Sequence, residues 1–200
     1  MRDDERQGES MEFRRRVIQA AVDCFGEKGV DAVSVGDIAR RAGVDKEKIE
    51  DAFTCKNFLV CAAGADQLNE ATSDYIASMP EAAVEEKILH IIERRCRCIH
   101  SVLEEATVFY RMALEGEQPW SDALDHLIWQ LSVHFATLLE HSVRKGELDP
   151  ATDVPTAVKT LVSIYLAGVV TIGLRAPVFE VERVLAFISP QIRLIVSCLK

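Results

Sequence analysis

Residues 35–53 read VGDIARRAGVDKEKIEDAF, and this stretch decides the fold of the N-terminal part of the chain. Apolar residues recur at helical spacing on both sides of Gly43, with Ala39 before it and Ile49 and Phe53 after it. Glycine tolerates the positive φ of a tight turn at little steric cost. Small residues at a helix crossing, a tolerant turn residue and apolar anchors on both sides are the requirements of a helix-turn-helix. The stretch therefore predicts two short helices around a tight turn, the layout of a DNA-reading element.

The helical pattern continues on both sides of this stretch. Apolar residues between 13 and 24 form one helix face, and Gly29 follows as a left-handed stop. Ser34 is a plausible N-cap of the second helix, and Asp37 three residues later nearly completes a capping box. Asp45 is placed to cap the third helix. The N-terminal part is thus predicted as three helices.

The chain as a whole divides into three parts. Residues 1–11 are polar and charged and are predicted to be a flexible tail. Residues 12–60 form the predicted head, a DNA-binding domain with its helix-turn-helix at about 34–53, and residues 61–200 form a larger body. Nearly every segment repeats at helical spacing and no run alternates like a strand. The predicted fold class is all-α: an N-terminal three-helix head plus a larger C-terminal helical body.

The last two predicted helices differ in character. Residues 154–175 are apolar on nearly all sides, which is typical of a helix buried in a core or against another chain. The final helix, 180–199, carries an apolar stripe that contains Pro190. Because proline has no amide hydrogen and clashes with the preceding turn, we expect a kink or break near Ser189.

Composition restricts the class of protein. The 200 residues are 48% hydrophobic, enough for a sizeable core, and the net charge is −9, from 23 basic and 32 acidic residues. This acidity argues against a general nucleic-acid coat protein without excluding a local DNA-reading face.

The polar N-terminus predicts no secretion signal, and the 14-residue apolar run Leu161–Leu174 is short for a membrane span. The six cysteines show no CxxC spacing, so we expect reduced thiols in a cytoplasmic protein without membrane contact.

Residues 17–59 resemble the DNA-binding head of the tetracycline-repressor (TetR) family of bacterial regulators. The matching pieces are AAVDCFGEKGVDAVSV, DIARRAGV, and Phe53 followed by Lys56 and Leu59. The segment KGELDPATDV (145–154) looks like the link that precedes the last two helices in this family. Elsewhere the resemblance is architectural.

The resemblance implies a homodimeric repressor. One head from each subunit would bind successive major grooves of a palindromic double-stranded DNA operator. A small-molecule effector in the body would shift the spacing of the heads, a population shift limited by the ligand's differential affinity for the two states. The last two helices of each subunit would form the dimer's four-helix interface.

The third predicted helix departs from the family pattern. Members usually carry Ser-Lys-Gly-Thr-Leu-Tyr, any residue, then Tyr-Phe, whereas residues 45–53 read DKEKIEDAF. The apolar anchors remain at Ile49 and Phe53, but Glu50 and Ala52 replace both tyrosines. Two lysines face four acids in this stretch, and acids near phosphates oppose the counterion release that drives DNA binding.

Three interpretations of this acidic helix remain open. In the first, Glu50 and Asp51 point away from DNA while basic residues make the contacts. In the second, Glu47 or Glu50 accepts a hydrogen bond from a cytosine amino group in the major groove. In the third, DNA binding is weak or lost, and the chain is a TetR-like helical binding protein that acts through a small molecule or a protein partner. The predicted DNA-contact residues are Ser34, Arg40, Arg41, Lys46, Glu47, Lys48 and Lys56.

Polar and aromatic residues on body helices are candidates for an effector pocket, because such pockets are mostly apolar with a few orienting polar groups. The candidates are Tyr75, Met79, His100, Phe109, Met112, Trp129, His134 and Tyr165. Cys96 and His100 share a helix face, but two ligands are too few for a metal site, and we predict no metal and no cofactor. The sequence contains no glycine-rich phosphate loop, nucleophile elbow or zinc-protease motif, so we predict no enzymatic activity.

Overall fold

The computed structural model describes residues 2–53, 55–78 and 81–200, with side chains from residue 12 onward. These residues form helices joined by short loops, and no strand occurs among them, which confirms the all-α fold class. The helices are α1 (Arg2–Lys28), α2 (Val35–Ala42), α3 (Lys46–Phe53), α4 (Lys56–Ser78), α5 (Val84–Ser101), α6 (Leu103–Leu114), α7 (Trp120–Arg144), α8 (Val154–Ala167), the π-helix η1 (Gly168–Leu174) and α9 (Val181–Cys198).

The chain forms two compact units. The first unit runs to Gln67 and includes Glu104–Trp120, and the second unit contains Leu68–Leu103 and Ser121–Lys200. The predicted head lies wholly within the first unit. Its predicted limit at residue 60 stays a prediction.

The N-terminal helix is longer than the sequence pattern indicates. A tail is predicted over residues 1–11, whereas α1 begins at Arg2 in the structure. The stretch after Arg2 is rich in Glu, Arg and Gln, which are favourable helix formers. Extending a helix that the apolar face between 13 and 24 already holds in place therefore costs little.

The core of the first unit contains the residues that the periodicity indicates. Val17, Ile38, Ile49 and Phe53 are fully buried, so α1, α2 and α3 each contribute an apolar face to one core. Gly43 follows α2 with φ 65°, the left-handed conformation that the turn requires. The helix-turn-helix is thus built as its sequence predicts.

In the second unit, η1 and α9 pack at very short range. A Cβ atom added to Gly168 would lie 2.5 Å from Ile188 Cδ1, and one added to Gly173 would clash with the Phe179 ring. Both glycines are buried, as are Ile188 and Phe179. The two glycines therefore allow the backbone of η1 to approach the apolar side chains of α9 and of the loop before it.

We expect Gly168→Ala to lower the free energy of unfolding by about 1–3 kcal/mol, because the new methyl group overpacks a filled core. Gly26→Ala is the matched control. Gly26 lies inside α1 with no atom within 4 Å of an added Cβ, so alanine should be neutral or stabilising there. Urea titration followed by circular dichroism measures both changes. Equal stability of the two variants would contradict the close packing at Gly168.

The final helix does not break at its proline. A kink or break was expected near Ser189; α9 is continuous from Val181 to Cys198 with Pro190 inside it, so a break does not occur and the kink stays a prediction. Pro190 is exposed, so the carbonyl that its missing amide leaves free can bind water. The side chains of Ser189 and Gln191 donate to backbone carbonyls one turn earlier. The buried stripe on the opposite face holds this helix in place.

The segment Val154–Leu174, α8 followed by η1, has a mean hydropathy of 1.8 and is long enough to cross a membrane. This segment contains the 14-residue run Leu161–Leu174, which alone is short for a membrane span. The residues before that run, from Val154 onward, lengthen it to 21 residues. The core helix of a soluble protein has the same length and composition, and α8 and η1 both contact α9. This segment alone is weak evidence for a membrane span.

Candidate nucleic-acid interface and effector site

The second helix of the head is held by a complete capping box. The Ser34 hydroxyl accepts a hydrogen bond from the Asp37 amide at 3.1 Å, and the Asp37 carboxylate accepts one from the Ser34 amide at 3.0 Å. The hydrogen bonds from the Ser34 hydroxyl and amide, followed by that from Arg40, hold the pKa of Asp37 far below its usual range. The sequence predicts Ser34 both as an N-cap and as a DNA contact, and the structure places it in the first role.

We expect Ser34→Ala to destabilise the head by about 1 kcal/mol, because it leaves a helix N-terminal amide without its acceptor. Ser34→Thr retains both the acceptor and the hydroxyl donor and should recover most of the stability. Thermal unfolding of the two variants provides the measurement. A Ser34→Ala protein as stable as the unsubstituted chain would show that the cap contributes nothing.

The two lysines of the third helix are paired with acids of the same segment. Lys46 Nζ lies 3.0 Å from Glu50 Oε1, and Lys48 Nζ lies 3.6 Å from Asp45 Oδ2. All four side chains are about half or more exposed. Exposed pairs of this kind contribute roughly 0–1 kcal/mol, so each lysine can exchange its acid for a phosphate at small cost. The acids reduce the charge of this surface without removing its cations.

The two arginines of α2 are engaged differently. Arg40 Nη1 lies 3.0 Å from Asp37 Oδ1 and its side chain is 77% exposed, which leaves it able to turn toward a ligand. Arg41 bridges two acids of α1, with 3.3 Å to Asp23 and 2.8 Å to Glu27. Arg41 therefore joins α1 to α2, and its predicted DNA contact would require it to leave both carboxylates.

A shallow cleft of about 360 Å³ lies between α1, the turn and α3. Its lining residues are Phe13, Arg16, Ala39, Arg40, Gly43, Val44, Asp45 and Lys48. Arg16 is a further cation on this surface, outside the predicted set. The run of three arginines at 14–16 indicates cations near this surface. The run alone does not show which of the three side chains faces the cleft. Arg14 lies elsewhere, 5.0 Å from the centre of the Phe53 ring.

Glu47 and Lys56 complete the predicted DNA-contact set. Glu47 is exposed in the first turn of α3, where a carboxylate also favours the helix dipole. Lys56 is half-buried at the first residue of α4. The roles of both residues in DNA contact stay predictions.

One known protein family matches the head. Residues 17–62 match the family of bacterial regulatory proteins called the tetR family. The head is therefore similar to the DNA-binding domain of this family. The match covers α2, α3 and the flanking parts of α1 and α4, so it includes every residue of the helix-turn-helix described above.

Relatives of known sequence support the same TetR-family head. The HTH-type transcriptional regulator BetI of Escherichia coli O17:K52:H18 is 31% identical over 83 residues, 40% of this chain and 43% of BetI. BetI of Cronobacter sakazakii is 32% identical over 83 residues, 41% of its length. The chain therefore matches less than half the length of these curated relatives.

Solved structures extend the TetR-family likeness to the fold of the body. The repressor QsdR of R. erythropolis covers 94% of this chain with a TM-score of 0.61 and 20% identity. The repressor FadR of Thermus thermophilus, solved with lauroyl-CoA, covers 92% with a TM-score of 0.59 and 15% identity. At these identities the likeness concerns the fold alone.

The predicted effector-pocket residues fall in both units of the chain. Phe109 and Met112 belong to the first unit, where Phe109 packs with Phe58 and with Trp120, at 5.9 Å between the last two ring centres. Trp129 is 61% exposed and stacks on His126. Met79 lies outside the described residues.

The other four candidates lie in the second unit. Tyr75 stacks on the ring of His90 at 4.4 Å, and burial, followed by the charge of Glu86, raises its pKa. His100 is exposed, and its Nδ1 lies 3.1 Å from the carbonyl oxygen of Phe179. The remaining two, His134 and Tyr165, are buried. The pKa of His134 is lowered to about 4, first by burial.

Two buried cations lie on α5 and are not among the predicted site residues. Lys87 and Arg95 are 1% and 5% exposed, and both lie on the face of the helix that carries Ile88, Ile91 and Ile99. A charged residue at a position of the apolar stripe was the signal that could have identified them. Buried charges need a partner, which makes both positions informative about stability or ligand binding.

Cys96, on the helix face that it shares with His100, is fully buried. Burial, followed by the charge of Glu93, raises the pKa of its thiol to about 12. Among residues that the structure describes, no group of three histidine, cysteine or acidic side chains could hold a metal ion.

Proposed function

We propose that this chain is a ligand-responsive transcriptional regulator, a repressor that binds a palindromic operator as a homodimer and is released by a small molecule in its body. The observation that carries the proposal is the complete helix-turn-helix within the TetR-family match, with its capping box and left-handed turn. BetI and QsdR, as named, are regulators of transcription, which supports the class. We place the protein in the cytoplasm and assign it no enzymatic activity.

The balance of charge in the head supports specific rather than general DNA binding. Residues 12–60 contain nine basic and nine acidic residues, so the head has no net charge to attract DNA at long range. Three exposed cations of the head have only weak ion pairs. Lys46 and Lys48 pair with exposed carboxylates of the same segment. Arg40 pairs with the cap residue Asp37. We infer that these three cations contact phosphates after exchanging partners, while α3 supplies the base contacts.

The test is binding of the full chain to DNA from its own upstream region at two salt concentrations. Affinity should fall as salt rises, with a slope of about −0.9 in log–log form for each phosphate neutralised. A random sequence of the same length is the control and should bind far more weakly. Absence of sequence-selective binding at the lower salt concentration would overturn the regulator and favour the alternative below.

We propose α8, η1 and α9 as the homodimer interface. Phe187 and Leu194 are 38% and 65% exposed on one face of α9, with Pro190 between them. These residues lie seven apart, so they share a helix face opposite the buried stripe. Leu194→Glu should dissociate the dimer in light scattering, while Arg193→Glu, at the adjacent exposed position, should not. A monomer of the unsubstituted chain at micromolar concentration would overturn this assignment.

The alternative is a TetR-like helical binding protein that does not use its DNA face. The specific observation in its favour is the acidic third helix, where Glu50 and Ala52 replace the tyrosines usual in the family. Such a protein would act through a small molecule or a protein partner. It would bind no upstream DNA in the experiment above, with or without ligand.

A further inference from the structure

Arg95 occupies an unusual position for an arginine. Its side chain lies in the apolar stripe of α5 between Ile92 and Ile99 and is only 5% exposed. The Nε and Nη2 atoms are buried and have no hydrogen-bond partner among the described residues. No carboxylate of the described chain pairs with it, in contrast to Lys87 on the same helix, which reaches Glu147.

This arrangement is unfavourable unless a group other than the described residues completes it. A guanidinium group stays protonated at every physiological pH, so burial cannot be relieved by loss of its proton. An unpaired charge in a protein interior is strongly destabilising, and proteins normally provide a partner. Ordered water can satisfy the N–H groups but supplies no opposite charge. The site therefore favours a bound anion.

His134, in the same unit as Arg95, is also incompletely satisfied. It is 8% exposed, its Nε2 lies 3.1 Å from the Ser73 hydroxyl, and its Nδ1 has no partner among described residues. Burial, followed by the positive charge of Arg95, lowers the pKa of His134 to about 4, so the ring is neutral at pH 7. The Arg95 charge therefore acts on this ring, within the range of an electrostatic interaction.

The hydrogen bonds of Ser73 assign the tautomer of His134. The Ser73 hydroxyl donates its only proton to the backbone carbonyl of Asn69 at 3.0 Å. It must then accept from His134 Nε2–H, which leaves Nδ1 as a free acceptor. The Oδ1 atom of Asn69, one turn before Ser73, is a second buried acceptor without a partner. The second unit thus contains buried donors on Arg95 and buried acceptors on α4 and α7 that no described residue satisfies.

We propose that Arg95 binds the carboxylate of a small hydroxycarboxylic acid, and that His134 Nδ1 accepts a hydrogen bond from the hydroxyl group of that acid. The inference rests on the proposed ligand-responsive function and names the chemical class of the effector. A single guanidinium balances one negative charge, which favours a monocarboxylate over a phosphate dianion. The hydroxyl group satisfies the acceptor that a simple carboxylate would leave unpaired.

The test follows the arginine Nε–H signals of the full chain by ¹⁵N nuclear magnetic resonance, without DNA and at constant ionic strength in chloride. Three small probes are compared: glycolate, acetate and the neutral glycolamide. Arg95→Met identifies the Arg95 signal. Arg97→Met is the matched control, because Arg97 lies on the same helix but is exposed and paired with Glu93.

Glycolate should shift the Arg95 signal saturably and bind about 2–10-fold more tightly than acetate, the ratio expected for one added hydrogen bond. Glycolamide should cause no shift, and Arg97→Met should leave the glycolate affinity unchanged. His134→Ala should abolish the preference for glycolate while keeping the acetate affinity. If Arg95→Met does not fold, the His134→Ala comparison alone decides the question.

The proposal is overturned if glycolate leaves the Arg95 signal unchanged, if glycolamide shifts it equally, or if His134→Ala keeps the glycolate preference. Failure of the regulator proposal appears separately in the DNA-binding measurement. A chain that binds glycolate at Arg95 but no DNA retains the carboxylate site and loses the regulatory role. A chain that binds its upstream DNA but no carboxylate retains the role and loses this site.

Discussion

Glu147→Ala is expected to lower the free energy of unfolding by about 3 kcal/mol, because it leaves a buried ammonium group without its partner. The side chain of Lys87 is 2% exposed, and its Nζ lies 3.5 Å from Glu147 Oε2. Glu147 itself is 30% exposed, which puts the expected loss at the lower end of values for buried pairs. Urea unfolding followed by circular dichroism provides the measurement.

The chain supplies a control with the same chemistry at the surface. Lys145 Nζ lies 3.2 Å from Glu81 Oε1, and Glu81 is 91% exposed. Glu81→Ala should cost less than about 1 kcal/mol, because water solvates the released lysine. The double variant Lys87→Met, Glu147→Ala should recover much of the stability lost by Glu147→Ala alone, since no buried charge remains. Equal losses at Glu81 and Glu147 would contradict this account.

Replacing Arg40, Lys46 and Lys48 together by alanine is expected to weaken operator binding by about 100-fold near physiological salt, since the three proposed phosphate contacts are lost. The slope of log affinity against log salt should become shallower by about 2.7 units, the sum of three contacts. Fluorescence anisotropy with operator DNA at several salt concentrations measures both quantities. This prediction rests on the proposed regulatory function.

Two variants make the prediction specific. Lys145→Ala removes an exposed lysine after α7, outside the head and outside the proposed dimer interface, and should leave the affinity and slope unchanged. Glu50→Gln frees Lys46 and removes one acid, so it should tighten non-specific binding by roughly 5-fold, about 1 kcal/mol. Unchanged affinity in the triple variant would show that other residues contact the phosphates.

The head was predictable because local chemistry determines it. A serine with an aspartate three residues later forms the capping box, and a glycine with no Cβ adopts the left-handed turn at Gly43. Ile49 and Phe53 occupy the helical spacing that buries them completely. Each of these features depends on residues within one or two helical turns, so the sequence pattern carries the information.

The ion pairs and the effector site were less predictable because they depend on contacts distant in the chain. Arg41 reaches Asp23, eighteen positions away, and His134 reaches Ser73, sixty-one positions away. No periodicity distinguishes an arginine that joins two helices from one that faces DNA. Arg95 could have been noticed as a charge within an apolar stripe, but its missing partner is visible only in three dimensions.

The π-helix also sets how the chain tolerates changes of length. Gly168 and Gly173 are five positions apart, the period of a π-helix hydrogen bond, and both meet large side chains of the same neighbouring segment. In an α-helix, residues five apart would point in clearly different directions. A deletion of one residue between them should convert η1 to α-helix, and the two glycines, then four apart, would still share a helix face. An inserted residue would turn one glycine away from its partner side chain, so the segment should tolerate a single-residue deletion better than an insertion.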